Sequence, residues 1–384
     1  MSLPALRFKD GAGEDFPEWV SEKLGKIGTV LMCKRILKEQ TLPVGDVPFY
    51  KIGTFGKQPD AYITNEVYKS FKEKYSFPKK GDILISAAGT IGRTVVFDGL
   101  PAYFQDSNIV WIDNNEVLVK NAFLYYLYAN TTWNTENTTI ARLYNDNLRS
   151  ILIKFPSISE QTKIANFLTA VDEKITHLTQ KYDLLTQYKK GVMQQIFSQE
   201  LRFKDEDGKD FQEWEEKYIS SICSIQKGKQ LNKSELTSHD LYPVINGGQE
   251  PSGYTDVWNV EENSITISEG GNSCGFVNFI KNKFWSGGHC YSLTPLNDGV
   301  SKNFIYQLLK FNEVQIMKLR VGSGLPNIQK SALSEFEISL PKSIKEQTKI
   351  ANFLTALDDK ITATHTQLQA VKQYKQGLLQ QMFV

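Results

Sequence analysis

Glu160 to Ala170 reads EQTKIANFLTA, and Glu346 to Ala356 spells the same eleven residues again. Extended outward without a gap, Ser157–Phe197 and Ser343–Phe383 agree at 24 of 41 positions and end in QQIF and QQMF. Internal repetition outranks any local motif, so this segment decides the fold. Ser157-x-x-Glu160 and Ser343-x-x-Glu346 each have the form of a capping box, which predicts a helix start. Behind the first start, apolar residues fall at Ile164, Leu168, Val171, Ile175, Leu178, Tyr182, Leu185, Val192 and Ile196. Steps of three and four in alternation are the seam of a coiled coil. Each helix of about 40 residues is about 60 Å long, and neither can bury its stripe alone. The expectation is an antiparallel pair related by a pseudo-twofold axis.

A second repeat precedes each helix. Leu6–Trp19, LRFKDGAGEDFPEW, and Leu201–Trp214, LRFKDEDGKDFQEW, share ten of fourteen residues. Between the repeats the two copies differ, keeping only a faint outline: a Gly-rich turn beside an apolar run (GDILISAAGTIGRTVVF at 81–97, NSITISEGGNSCGFVNF at 263–279) and a closing strand with proline (ILIKFP at 151–156, FEISLP at 336–341). The expected organisation is a variable domain at 1–156, a helix at 157–198, a second variable domain at 199–342 and a second helix at 343–384. The variable domains read as mixed α/β (α+β) with short strands at Asp82–Ser86, Thr94–Phe97, Asn108–Ile112, Ser264–Ser268 and Phe276–Phe279, and helices at Lys120–Ala129 and Lys302–Phe311.

Composition narrows the function. Hydrophobic residues make up 41% and charged residues 23%, with a net charge of +1, as in ordinary globular proteins. No apolar run approaches the roughly 20 residues that span a bilayer, and the first residues lack the order of a signal peptide; a cytoplasmic address is expected, with no membrane partner. Four cysteines and four histidines are scattered without metal-ligand spacing, so no metal site is expected. A nearly neutral chain that holds DNA must cluster its basic residues or borrow positive surface from a partner.

The EQTKIANFL-x-x-x-D opening, present twice, and the order variable–constant–variable–constant resemble the specificity subunit of type I restriction–modification systems. The resemblance covers essentially the whole chain. It implies that each variable domain reads one half of a bipartite, asymmetric site in double-stranded DNA, that the helices act as a spacer, and that two modification (methyltransferase) subunits dock on them. By the same resemblance, Glu160, Gln161, Ile164, Leu168 and Asp172, with Glu346, Gln347, Ile350, Leu354 and Asp358, lie on the spacer and partner-docking scaffold. No cofactor is implied on this chain: S-adenosylmethionine belongs to the modification subunits, and ATP with Mg to restriction subunits where these join. The family fixes no base-contacting motif.

Arg and Lys read guanine and Asn and Gln read adenine in the major groove. Polar clusters near the Gly-rich turns are therefore the candidate DNA-binding residues: Lys51, Thr54, Lys57, Arg93, Arg142, Asn145 and Asn147 in the first domain, and Lys227, Lys229, Asn246, Gln249, Asn272, Ser323 and Asn327 in the second. Taken singly, most such side chains are solvated loop residues; the loops are the stronger expectation. The Gly-rich turns fit neither a P-loop nor a dinucleotide fingerprint and read as structural turns. No [ND]-P-P-[YF] tetrad, F-x-G-x-G turn or P-D…[DE]-x-K cluster appears, so the chain reads as non-catalytic. Two rival readings remain: a coiled-coil adaptor joining two protein-binding domains without DNA sequence preference, and an enzyme, a nuclease or methyltransferase whose motifs have diverged.

Overall fold

The computed structural model describes residues 4–131, 133, 143–239, 241–322, 324 and 326–383. Two compact units result: Met1–His177 with Gln367–Val384, and Leu178–Thr366. The long helices Ile158–Phe197 and Ile344–Met382 are each divided between the two.

The first unit holds a four-stranded antiparallel sheet in the order Gly28–Met32, Ile109–Asn114, Ile83–Ser86, Thr94–Val96. The second repeats it with Cys223–Lys227, Cys290–Leu296, Ser264–Ser268 and Val277–Ile280. In both, the third of these strands is buried at every position; ILIS reads accordingly as a continuous apolar run, whereas SITIS alternates in sequence and buries its small hydroxyl residues as well as its isoleucines. Each unit adds a three-stranded sheet, Tyr62–Ile63, Val47–Tyr50, Tyr103–Phe104 in one and Tyr254–Thr255, Tyr242–Ile245, Trp285–Ser286 in the other. A two-stranded ribbon, Val20–Lys23 with Leu152–Phe155 or Glu215–Tyr218 with Glu337–Leu340, leads into the long helix. The expected strands and helices agree with these to within two residues, and the Lys302–Phe311 helix agrees at both ends.

Within each unit the two long helices run antiparallel. In the first, Lys375 Nζ lies 2.6 Å from Asp172; in the second, Lys189 Nζ lies 2.6 Å from Asp358. The apolar stripe is more than a helix–helix seam. Ile164, Leu168 and Val171 share one core with Leu378, Met382 and Phe383 and with Trp19, Phe123 and Leu148 of the variable domain. Ile350, Leu354 and Leu357 do the same with Val192, Ile196, Phe304 and Leu333. Each helix end is thus part of a domain interior.

The two sequence repeats meet in space. Arg7 of LRFKD donates from Nε to Glu160 Oε1 at 3.0 Å and from Nη2 to Glu160 Oε2 at 2.7 Å. Its Nη2 also reaches the Phe16 and Pro17 carbonyls. Arg202 bonds Glu346 and the Phe211 and Gln212 carbonyls in the same way. Both carboxylates are fully buried, and a buried charge is tolerable only with such partners. The expected capping box is half realised: Ser157 Oγ accepts from Glu160 N at 3.4 Å, while the Glu160 carboxylate turns to Arg7. Gln161 Oε1 accepts from Lys120 N and its Nε2 donates to the Leu118 and Pro156 carbonyls; Gln347 repeats this with Ser301 N and the Gly299 and Pro341 carbonyls. The EQ pair is a clamp that fixes each variable domain on its helix.

Candidate nucleic-acid interface

In the second unit, three strands of the four-stranded sheet meet at one end: Cys223–Lys227 finishes there with Lys227, Ser264–Ser268 runs out into Glu269, and Cys290–Leu296 starts after His289. A cavity of about 490 Å³ opens at this end, with Asn246, Gly270, Asn272 and Asn327 on its walls. Its segments are tied together. Ser268 Oγ donates to Gly247 O at 2.6 Å, Asn246 Oδ1 accepts from His289 N at 3.4 Å, and Gly271 N donates to Pro326 O at 3.1 Å. Gly247 has φ +85°, and a Cβ there would stand 2.6 Å from the His289 carbonyl oxygen, so only glycine lets the loop come this close.

Glu269 sits at the floor, 8% exposed. Its Oε1 accepts from Lys227 Nζ at 2.6 Å and from Tyr291 Oη at 3.1 Å. Burial first, then the adjoining carboxylate, pushes the Tyr291 phenol up to about 12, which keeps it protonated and donating. Glu269 Oε2 has no hydrogen-bond partner among the described residues, and His289 Nδ1 stands 3.9 Å from it. The result is a polar cavity with one buried acceptor, a half-exposed ammonium and amide side chains on the rim.

The first unit has the same framework and different chemistry. Ala87 N donates to Asn108 O at 2.8 Å just as Glu269 N donates to His289 O at 2.9 Å, and Met32 pairs with Val110 as Lys227 pairs with Tyr291. Met32, Ala87 and Asn108 therefore occupy the places of Lys227, Glu269 and His289. Beside them, Lys51 follows Val47–Tyr50 and pairs with Asp60 at 2.9 Å. Thr54 bonds the backbone of Lys51, and Arg93 donates from Nη1 to Phe55 O at 2.9 Å. Lys57 edges a recess of about 310 Å³ lined by Tyr50, Phe55, Val95, Phe97 and Phe104.

A family model for the type I restriction modification DNA specificity domain matches residues 17–187 and again 212–373. The chain belongs to the type I DNA specificity family. A putative type I restriction enzyme specificity subunit of Haemophilus influenzae is 58% identical over 159 residues, 41% of this chain and 41% of that protein. A type I restriction enzyme specificity subunit of Methanocaldococcus jannaschii is 24% identical over 374 residues, 87% of this chain and 85% of its own. The first curated relatives are matched over only about two fifths of their length. The crystal structure of an S subunit from M. genitalium has the same fold, with a TM-score of 0.74 at 19% identity and coverage of 100% of this chain and 99% of that one.

For this specificity-family chain the candidate residues sort as follows. The cavity brings together Lys227, Asn246, Asn272 and Asn327. Lys229 and Gln249 are exposed and do not line it. Lys51, Thr54 and Arg93 build the 51–57 loop, Thr54 and Arg93 through backbone bonds that give them a structural part. Asn145 and Asn147 sit on the short helix Asn145–Ser150. Arg142 and Ser323 lie outside the described residues. All ten scaffold residues are on the long helices, but Glu160, Gln161, Ile164, Leu168, Glu346, Gln347, Ile350 and Leu354 are buried within their own units. Asp172 and Asp358 are engaged by Lys375 and Lys189, and also by Tyr126 and Gln307. The partner-docking part of that expectation therefore has no surface at these eight positions. Exposed large apolar groups on the helices are instead Leu184, Tyr188, Ile344 and Tyr374. Glu269 and His289 were not singled out by sequence; a charged residue between a buried strand and a Gly-Gly turn, SEGG at 268–271, was the available signal.

Among the described residues no helix is long and apolar enough to cross a membrane.

Proposed function

We propose that this chain is the non-catalytic address reader of a type I restriction–modification complex, acting in the cytoplasm on double-stranded DNA. Each variable domain reads one half of an asymmetric bipartite site, the long helices set the unread gap, and two modification subunits dock on exposed helix surface. Those subunits carry S-adenosylmethionine and methylate adenine; restriction subunits, where they join, bring ATP and Mg. One observation carries the reading: two domains of one topology differ in chemistry at equivalent strand ends, Met32, Ala87 and Asn108 against Lys227, Glu269 and His289. A shared scaffold with unlike end groups suits two unlike half-sites, since base edges differ only in their pattern of donors and acceptors.

The test is the adenine methylation map of the source cell with and without this gene. Loss of one asymmetric, bipartite methylated motif is expected. A map that keeps every motif, with the modification subunit present, sinks the proposal and favours a protein adaptor.

The docking surface has its own expected result. Tyr188→Glu with Tyr374→Glu, at side chains more than half exposed, is expected to weaken capture of the modification subunit at least tenfold while thermal unfolding of the free chain is unchanged. Undiminished co-purification places docking elsewhere.

A further inference from the structure

Resting on that DNA-reading assignment, we propose that the second domain reads a guanine through Lys227, with Glu269 as the residue that positions the ammonium. Lys227 is 54% exposed at its side chain, and its Nζ is fixed 2.6 Å from Glu269 Oε1. An ammonium has three donors and no acceptor. Glu269 takes one, which leaves two for the cavity. Guanine is the base that offers two neighbouring acceptors, N7 and O6, on its major-groove edge.

Two observations separate this from an incidental surface ion pair. The first is the internal control within the chain. A buried carboxylate is costly to the fold, and the same framework is built in the first unit with Ala87 at that position and Met32 in place of the lysine. The fold does not require Glu269; it holds Lys227 and the Tyr291 hydroxyl, whose places in the first unit are taken by Met32 and Val110. The second is charge. Among the described residues the cavity lining contains one lysine, one glutamate and one histidine, with asparagine amides around them. A phosphate is held by surplus positive charge, which this lining lacks, and Glu269 would repel it. A balanced set of donors and acceptors suits a base edge.

The experiment uses the chain assembled with its modification subunits and competition binding to duplexes carrying the methylated motif. Each guanine of the second half-site is replaced in turn by 7-deazaguanine, which removes N7. The assembled wild type is expected to lose roughly tenfold in affinity at one of these guanines. Lys227→Ala is expected to bind the natural duplex as weakly and to be indifferent to that replacement. Glu269→Gln, which keeps the shape and removes the charge, is expected to lie between them at the same guanine. Lys227→Met with Glu269→Ala reproduces the first unit's pair and leaves no unpaired carboxylate, so it keeps the comparison available where a single variant does not fold. Equal weakening on every duplex, with the salt slope lowered by about one, makes Lys227 a phosphate contact and overturns the proposal. Unchanged binding by the variants, or a second half-site without a G·C pair, also overturns it. A wild-type complex that binds motif and scrambled duplexes alike defeats instead the DNA-reading assignment beneath it.

Discussion

Inserting seven residues into each long helix, after His177 and after Thr366, is expected to lengthen the unread gap of the DNA site by about three base pairs and to leave both half-sites unchanged. Seven residues of helix add about 10 Å, and each base pair about 3.4 Å. Both insertion points fall at the division between the compact units, so neither domain core is cut. Seven is also the repeat of the apolar stripe, and the added heptad keeps its phase. Four residues in each helix serve as the contrast: they add about one turn, which keeps the stripe on its side while unwinding the pair locally, and a shorter extension of about two base pairs is the expected result. Methylation maps of cells carrying each variant decide the matter. An unchanged gap after the heptad insertion would refute the helices as the spacer.

Arg7→Ala is expected to cost about 3–5 kcal/mol, the usual penalty for stranding a buried charge. The Glu160 side chain is fully buried and Arg7 is 18% exposed at its side chain, so little solvent screening offsets the loss. For a unit of this size that corresponds to a fall of roughly 6–20 °C in the midpoint of thermal unfolding. The second unit offers an internal comparison. Glu346 receives a further hydrogen bond from Trp214 Nε1 at 3.2 Å, whereas Trp19 Nε1 has no partner among the described residues. Arg202→Ala is therefore expected to cost less than Arg7→Ala. Arg7→Met combined with Glu160→Gln, which removes both charges, is expected to recover more than half of the loss. Calorimetry of the purified chain checks all three, and equal costs at Arg7 and Arg202 would mean that the Trp214 bond contributes nothing.

The scaffold was legible in sequence because helices announce themselves through period and repetition. Ile164 and Leu168 follow from spacing, and the exact repeat of EQTKIANFLTA carries that spacing to Ile350 and Leu354. Spacing does not say what covers a stripe, and the family resemblance, which implies partner docking at these positions, does not distinguish residues buried in domain cores from exposed ones. The EQ pair was missed as a clamp for a similar reason: its partners, Arg7 and the Leu118 carbonyl, are set by tertiary contact. Polar loop residues carry no period at all. Lys227, Asn246, Asn272 and Asn327 were picked out by residue type, and the sheet end is what joins them; Glu269 escaped because a charge inside SITISEGG looks like a strand terminator. The Gly-rich turns were read as structural turns, and Gly92 and Gly275, with φ +80° and +90°, sit in such turns.

The make-up of the first unit also has a consequence for synthesis. Its core includes Leu378, Met382 and Phe383, and Leu6 N donates to Gln381 O at 3.0 Å. The domain translated first therefore waits, with its apolar floor uncovered, until residues 378–383 have left the ribosome. The intervening stretch, 178 to 366, takes roughly 10–40 s to translate at about 5–20 residues per second. The second domain is contiguous and closes during that interval. The order of folding is the reverse of the order of translation, and the nascent first domain is the stage at which chaperones have the most to cover.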